Sequence, residues 1–573
     1  MQKKIVRRQV SAEVAHYLPD IHPILRRIYL ARGVRIQEEV THELEKLQPY
    51  QSLRDIDKAV ACIAAALMAQ QSILIVGDFD ADGATSTALA IRALRSFGAK
   101  QVNFLVPNRF SFGYGLTPEL VAVAKSFQPS LIITVDNGIA NHAGVAAAKA
   151  AGMQVVITDH HLAAPTLPDA DAIVNPNQPE DKFPSKNLAG VGVIFYVMLA
   201  LRRFLIEQGW FAQQAMREPN MSRLLDLVAL GTVADLVPLD YNNRILVHQG
   251  LRRMRAKSCS PGVLALFEIS GRDITKAMTS DIGFGVAARL NAAGRLDDMS
   301  LGIECLLCDD HQRAREIALT LNQLNAERRG IEQDMHHQAI ETMTARYSKE
   351  LPFGICLFDK AWHQGVIGIL ASRIKDRFYR PVIVCAPGKE GEIKGSARSI
   401  PNFHIRDTLA HIATMHPDLI TKFGGHAMAA GLTIESSKFT QFAEIFNQVV
   451  AERMTEADLH QQVLTDGSLE QSYLNLATAE VLREAGPWGQ RFPEPLFDDV
   501  FRIVDQRIVG DKHLKMVLSK DNGRVIDAIA FYVDLKQWPN HRCQSVRAAY
   551  HLDINEYNGR RSVQLIVEHM ELE

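Results

Sequence analysis

Short apolar runs alternate with alanine-rich stretches along the first half of the chain. Residues 73–76, 102–106, 131–135 and 155–158 are compact runs of β-branched and other apolar residues, each ending in polar positions, the pattern of buried strands. The stretches 84–97, 118–126 and 141–151 between them have helical composition. Such alternation predicts a parallel sheet with crossover helices, a doubly wound α/β domain. From 309 to 349 there is no proline, and Ile317, Leu321, Leu324, Ile331 and Met335 fall on one helical face. That periodicity predicts a long helix, either connecting two domains or packed within the first.

A second α/β unit is expected from residue 353, with strands at 354–358 and 381–385 and glycine-rich segments at 391–399 and 423–432. Beyond 457 the segments 500–508, 514–518, 525–531 and 564–567 are separated by turns and predict a small β-barrel or sandwich. The expected division is 1–71 as an N-terminal segment packed on the first domain, 72–308 as that domain, 309–349 as the connecting helix, 350–456 as the second α/β domain and 457–573 as the β domain.

A length of 573 residues agrees with several cores, since domains usually hold ~100 to 200 residues. The net charge of -2 excludes a globally basic surface, so nucleic-acid contacts would have to be local. No run of ~18 apolar residues could span a bilayer, and the basic start MQKKIVRRQV has no apolar signal core, so a cytoplasmic protein without membrane contact is expected. Seven scattered cysteines fit a reducing compartment. The pair Cys305 and Cys308 has no second pair to complete a zinc site.

In an open parallel sheet, residues just after the strands converge on one crevice. The first strand is followed by Asp78, Asp80 and Asp82, the third by Asp136-Asn137-Gly138 and the fourth by Asp159-His160-His161; Asp235 follows the helical run 224–230. A lone aspartate there commonly caps a helix, and a histidine pair is commonly a surface feature. Four such sites together favour a cation cage, because clustered carboxylates repel unless neutralised. An EF-hand loop is excluded, since its twelfth position needs glutamate and Leu89 stands there. Oxygen donors with one or two imidazoles favour two manganese or magnesium ions, which suits in-line hydrolysis of a phosphoester.

The segments Asp78-Phe79-Asp80-Ala81-Asp82-Gly83, Val135-Asp136-Asn137-Gly138, Thr158-Asp159-His160-His161 and Gly231-Thr232-Val233-Ala234-Asp235 resemble, in this order, the DHH phosphoesterase family. Val106-Pro107-Asn108-Arg109, the segment from Arg289 to Arg295 and Gly424-Gly425-His426-Ala427 resemble its single-strand exonuclease branch, so the likeness covers nearly the whole chain. The resemblance implies that Asp136 bridges two metals, with Asp80 on one side and Asp82, His160 and Asp235 on the other. Asp78 completes the first metal directly or through water, His161 faces substrate phosphate and Asp159 orients its neighbours. The second domain corresponds to the family's DHHA1 domain, where Gly395-Ser396-Ala397-Arg398-Ser399 carries alanine in place of a commonly seen glycine.

Arg109, Arg295 and Arg398, with Ser396, Gly424, Gly425 and His426, are the implied contacts to DNA phosphates or the 5' end, arginine because its planar fork grips phosphate. The β domain corresponds to an OB-like barrel, for which Trp488, Phe492 and Phe497 with Arg491, Lys512 and Lys515 are the candidate single-strand contacts. The implied activity is 5'-to-3' hydrolysis of single-stranded DNA to 5'-mononucleotides in repair and recombination, by a monomer working with a helicase and a single-strand-binding protein. A DHH phosphodiesterase for short oligonucleotides, cyclic dinucleotides or pyrophosphate would share the metal ligands but usually ends after the second domain. A non-catalytic scaffold on this fold would be expected to have lost carboxylates that are all present here.

Overall fold

The computed structural model describes the chain apart from residues 1–2, 12–13, 15, 109–111, 348–349, 521–522 and 524. It divides into two compact units, one of residues 10–325 with 482–494, the other of residues 1–9, 326–481 and 495–573. Arg109 lies outside the described residues.

In the first unit the four expected strands form, and a fifth, Ala172–Val174, joins them. All five run parallel in the order Val102–Leu105, Ile73–Val76, Leu131–Val135, Gln154–Thr158, Ala172–Val174. Strands such as Ile73–Val76 and Leu131–Val135 are buried at every position, as a sheet covered on both faces requires. Helices Pro118–Ala124 and His142–Ala150 supply one face of the core, with Leu120, Val121, Val145 and Ala148 against Leu74, Ile132 and Val155. Helices Ile56–Met68, Ala81–Ser96 and Gly190–Glu207 also pack on the sheet. Because chain order reverses between Ile73–Val76 and Leu131–Val135, the carboxyl ends of these two strands form the switch point at which such sheets bind ligands.

The second unit holds a five-stranded sheet in the order Lys422–Gly425, Ala429–Glu435, Glu392–Arg398, Val382–Pro387, Ile355–Phe358, over a core that includes Ile383, Leu409, Phe442 and Phe446. Its closed barrel runs Phe497–Val509, His513–Ser519, Val525–Ala530, Arg560–Leu572, Ser545–Tyr557. Only the pair Val525–Ala530 and Arg560–Leu572 is parallel, so this is a five-stranded barrel of the OB type. Strand Lys4–Arg7 pairs in parallel with Gln462–Thr465 in the same unit. The expected long helix is His311–Arg346, 36 residues that begin in one unit and end in the other.

The aromatic residues expected to stack on DNA do not. Trp488 and Phe492 are 5% and 3% exposed, stacked on each other at 5.3 Å, with the Arg244 guanidinium 4.3 Å from the Phe492 ring centre, all within the first unit. Phe497 is fully buried inside the barrel. Large rings beside a Gly-Pro turn have gained more by leaving water than exposure would give. The barrel exposes Phe531 and Tyr532 instead, each edge-on to His513 at 5.1 and 4.9 Å. Lys512 and Lys515 lie on the barrel as expected, whereas Arg491 lies in the first unit.

Candidate metal centre

The aspartate run leaves the sheet as strand Ile73–Val76 ends and turns at once into helix Ala81–Ser96, so it is not extended throughout. Asp80 caps that helix, its Oδ1 accepting from the N–H groups of Asp82 and Gly83 at 3.0 Å each. Asp82, in the first turn, points the other way. Its Oδ2 accepts from the Gly190 N–H at 2.6 Å and its Oδ1 from Val191 at 3.0 Å, where the positive end of helix Gly190–Glu207 holds a carboxylate in place. Gly83 permits the tight turn, because a Cβ there would stand 2.5 Å from the Asp78 carbonyl oxygen.

Asp136 follows strand Leu131–Val135 with a left-handed φ of 62°. Its N–H donates to the Thr158 carbonyl at 3.1 Å, and its carbonyl accepts from the Tyr114 hydroxyl at 3.1 Å. A Cβ on Gly190 would meet the Asp136 Cβ at 2.6 Å, so glycine is needed where the helix closes on this residue. Asn137 ties the two central strands together by donating to the carbonyls of Val76 and Val135 at 3.1 and 2.9 Å.

His160 brings the fourth strand into the site. Its Nε2 lies 3.1 Å from Asp136 Oδ1, 3.5 Å from Asp235 Oδ2 and 4.0 Å from Asp82 Oδ2. Asp235 arrives from the end of helix Leu225–Ala234. Three donor clusters result, each with its ligand atoms within 4.8 Å of one another: Asp78, Asp80 and Asp136; Asp82, His160 and Asp235; and Asp136, His160 and His161. Asp159 faces away from them. Its Oδ1 accepts from the N–H groups of His160 and His161 at 2.7 and 3.1 Å and from His161 Nδ1 at 2.7 Å, and its Oδ2 from the Ile139 N–H at 3.0 Å.

The electrostatics separate these roles. Burial, reinforced by facing carboxylates, pushes Asp82, Asp136 and Asp235 above the usual carboxylate range. Burial acts on Asp159 in the same sense, but the adjacent His161 imidazolium overcomes it and holds Asp159 down to about 2. His161, against the opposing effect of its burial, is raised to about 9 by Asp159. Burial and His161 together lower His160. The cluster is thus a set of repelling acids around a neutral imidazole. Asp136 Oδ1 and His160 Nε2 are shielded from water and make no hydrogen bond among the described residues despite their short separation. Atoms so disposed face a common point and not each other, and the donor set fits divalent cations.

Sequence reasoning misses the parts played by Tyr114 and Asn137. The Tyr114 hydroxyl also lies 3.2 Å from each ring nitrogen of His161; its place beside the motif Pro107-Asn108-Arg109 is the available signal. Helix Ala288–Leu296, which carries Arg295 in its last turn, abuts the aspartate loop through Asn291 Oδ1, which accepts from the Ala81 N–H at 2.8 Å. Ser396, Arg398, Gly424, Gly425 and His426 all lie in the other unit. There Ser396, Gly431 and Gly424 form one row across three strands. Arg398 Nη1 donates to the Ala397 carbonyl at 2.8 Å and to Ser396 Oγ at 3.2 Å.

Comparison with known proteins accounts for the same segments. Residues 72–232 match the model of the DHH family N-terminal domain, residues 350–452 that of the DHHA1 domain and residues 465–569 that of the RecJ OB domain. The single-stranded-DNA-specific exonuclease RecJ of Salmonella typhimurium is 52% identical over 570 residues, covering 99% of both chains. The chain belongs to the RecJ family. Among solved RecJ structures, that from Thermus thermophilus in complex with Mn2+ covers 100% of this chain and 80% of its own, with a TM-score of 0.81 at 28% identity. The Mg2+ complex from the same organism covers 100% and 78%, with a TM-score of 0.76 at 26% identity. The Thermus thermophilus protein is thus seen with either ion, and the cluster around Asp136 in this chain has oxygen and imidazole donors that suit such cations.

Proposed function

We infer that this chain is a two-metal exonuclease that hydrolyses single-stranded DNA in the 5'-to-3' direction to 5'-mononucleotides, in DNA repair and recombination. The observation that carries the reading is the approach of two oxygen-rich donor clusters, Asp78, Asp80 and Asp136 on one side and Asp82, His160 and Asp235 on the other, with Asp136 Oδ1 3.1 Å from His160 Nε2 where they adjoin. The full-length likeness to exonucleases named for single-stranded DNA supplies the substrate. On this reading Asp78, Asp80 and Asp136 would hold one Mn2+ or Mg2+ ion, and Asp82, His160 and Asp235 the other, with Asp136 shared. Bound there, the ions supply Lewis-acid stabilisation of the charge that builds on the phosphoryl and leaving oxygens.

The chain's own groups do the placing. Asp159 keeps a proton on His161 Nδ1 at 2.7 Å and fixes the ring, so that His161 can hold a phosphoryl oxygen. Tyr114 steadies both His161 and the left-handed backbone of Asp136. Arg109, Arg295 and Arg398 grip backbone or terminal phosphates through two hydrogen bonds each. Ser396 and His426 add further donors, and the missing Cβ atoms at Gly424 and Gly425 let phosphate approach the main chain. The barrel supplies a grip on the strand that a dinucleotide enzyme would not need. On this reading 72–308 and 350–456 are the two catalytic domains, joined by 309–349; the barrel within 457–573 binds nucleic acid, and of the N-terminal segment 1–71 only residues from 10 onward pack with the first domain, residues 1–9 and 482–494 having exchanged units. A monomer acting in the cytoplasm beside a helicase and a single-strand-binding protein belongs to the same proposal.

The test is digestion of a long single strand labelled at its 5' or its 3' end, with blunt duplex and dinucleotides as comparators, in Mn2+ and then in Mg2+. Immediate release of the 5' label as mononucleotide, late release of the 3' label and sparing of duplex are expected. Preference for dinucleotides, or early release of the 3' label, would overturn the reading.

A further inference from the structure

A cavity of about 820 Å3 opens at the seam of the barrel, within the second unit. The seam is the one parallel pair, Val525–Ala530 with Arg560–Leu572, and its pairing begins only at Asp527 opposite Gln564. Continued backward, that register would set Ile526 against Val563 and Val525 against Ser562, and neither pair forms among the described residues. On their other side Arg560–Val563 are paired throughout, with Ile554–Tyr557. One edge of Arg561–Val563 therefore faces the cavity, which these three residues line together with Val525, Ile526 and Asp527. Leu474 and Leu476, from the segment that precedes the barrel, supply a further wall.

This edge is open in its main chain and unbalanced in its charge. No hydrogen bond from outside the barrel strands reaches the main chain of Arg561 or Ser562 among the described residues. N–H and C=O groups along such an edge are a template for one more strand. Apolar side chains stand beside it in Leu474, Val517 and Val525, the last 54% exposed. Two charged side chains line the cavity, Arg561 and Asp527. Arg561 is held by Glu480 at 2.9 Å and by Glu556 at 3.3 Å. The Asp527 carboxylate makes no hydrogen bond or ion pair among the described residues, so the uncompensated charge of the cleft is negative.

We propose that this cleft takes an extended segment of a partner protein as an added strand along Arg561–Val563, with a basic side chain at Asp527 and an apolar one against Leu474 and Val525. The open edge sets the extended form through main-chain hydrogen bonds, and the side chains beside it set the preference for alternating basic and apolar residues. A DNA strand fits less well. An uncompensated carboxylate repels phosphate, and no aromatic residue lines the cavity to stack a base.

The test is fluorescence anisotropy on the full chain, with a fluorescein-labelled peptide of alternating valine and lysine. Saturable binding is expected, at least tenfold weaker when alternate peptide nitrogens are methylated, which removes strand pairing, and at least tenfold weaker when glutamine replaces the lysines. Asp527→Asn should weaken the lysine peptide at least tenfold and leave the glutamine peptide unaffected. Val525→Lys, which places a like charge at the cleft, should also weaken the lysine peptide at least tenfold and serves if Asp527→Asn does not fold. Turnover of a short single strand should be unchanged in each variant used, which establishes an intact fold. Absence of saturable binding to the wild type, equal binding of the methylated peptide, or binding indifferent to both substitutions overturns the proposal. So does displacement by oligo(dT) that strengthens in Asp527→Asn, because it would assign the cleft to nucleic acid. Wild-type dimers in analytical ultracentrifugation that Val525→Lys abolishes would assign the edge to a second copy of the chain and overturn it as well.

Discussion

His160 Nε2 lies 3.1 Å from Asp136 Oδ1, and neither atom completes a hydrogen bond with the other. Their shared orientation toward a third position is the central relationship of the metal centre. Asn tolerates the left-handed backbone of Asp136, so Asp136→Asn removes one of the crowded charges without straining the chain. The metal-free variant should melt at or above the wild-type temperature. Mn2+ should raise only the wild type, by about 2.7 kcal/mol at a hundredfold excess over its dissociation constant, and turnover should fall at least a hundredfold. Differential scanning fluorimetry with and without Mn2+ checks this; an equal rise in both proteins would contradict it.

Acid should weaken the fold through His42. This ring stacks on His248 at 4.6 Å, and burial, with His248 and Arg244 adding to it, pushes its pKa down to about 3. The folded state then binds fewer protons than the unfolded one, so the contribution is complete above about pH 6.5 and is lost as pH falls toward 3. Relative to His42→Gln, the wild type should lose about 1 to 2 kcal/mol between pH 7.5 and pH 5. Urea unfolding of both proteins at the two pH values measures it, and parallel behaviour would refute the assignment.

Asp498 anchors the first strand to the barrel. Its fully buried carboxylate accepts from Arg7 Nε and Nη2 at 3.0 and 2.9 Å, from Arg547 Nη2 at 2.8 Å and from Thr465 Oγ1 at 2.5 Å. Asp498→Ala strands two guanidinium groups and should cost about 3 to 5 kcal/mol. Arg7→Ala should cost far less, because that side chain is 48% exposed. Chemical denaturation of the two variants should give this order.

Burial separates the packing aromatic Trp488 of the first unit from the exposed Tyr532 of the barrel. Trp488→Ala should destabilise the chain by about 3 to 5 kcal/mol without a selective effect on DNA affinity. Tyr532→Ala, at a site 75% exposed, should leave stability unchanged and weaken binding of a long single strand by about 1 to 3 kcal/mol. Melting temperatures and filter binding on both variants distinguish the two cases, and the reverse pattern would show that the barrel grips DNA elsewhere.

The contrast marks what a sequence can convey. Asp78, Asp136 and His160 were legible because a parallel sheet delivers whatever follows its strands to one edge, and the apolar runs locate those strands. The grip of Gly190 and Val191 on Asp82 was not, since it joins residues 108 and 109 positions apart and involves main-chain N–H groups that every residue but proline carries. Tyr114 is half exposed, yet its hydroxyl reaches the Asp136 carbonyl, a contact set by loop path and not by residue type. Ala172–Val174 is only three residues long, too short for periodicity to register. Trp488 and Phe492 misled because aromatic character suits a buried core and a stacking surface equally.

The most direct test of the account is anomalous diffraction from Mn2+-soaked crystals. Two peaks are expected, one within ligand distance of Asp78, Asp80 and Asp136 and one within ligand distance of Asp82, His160 and Asp235, with Asp136 reaching both. A single peak, or two peaks that do not share Asp136, would contradict it.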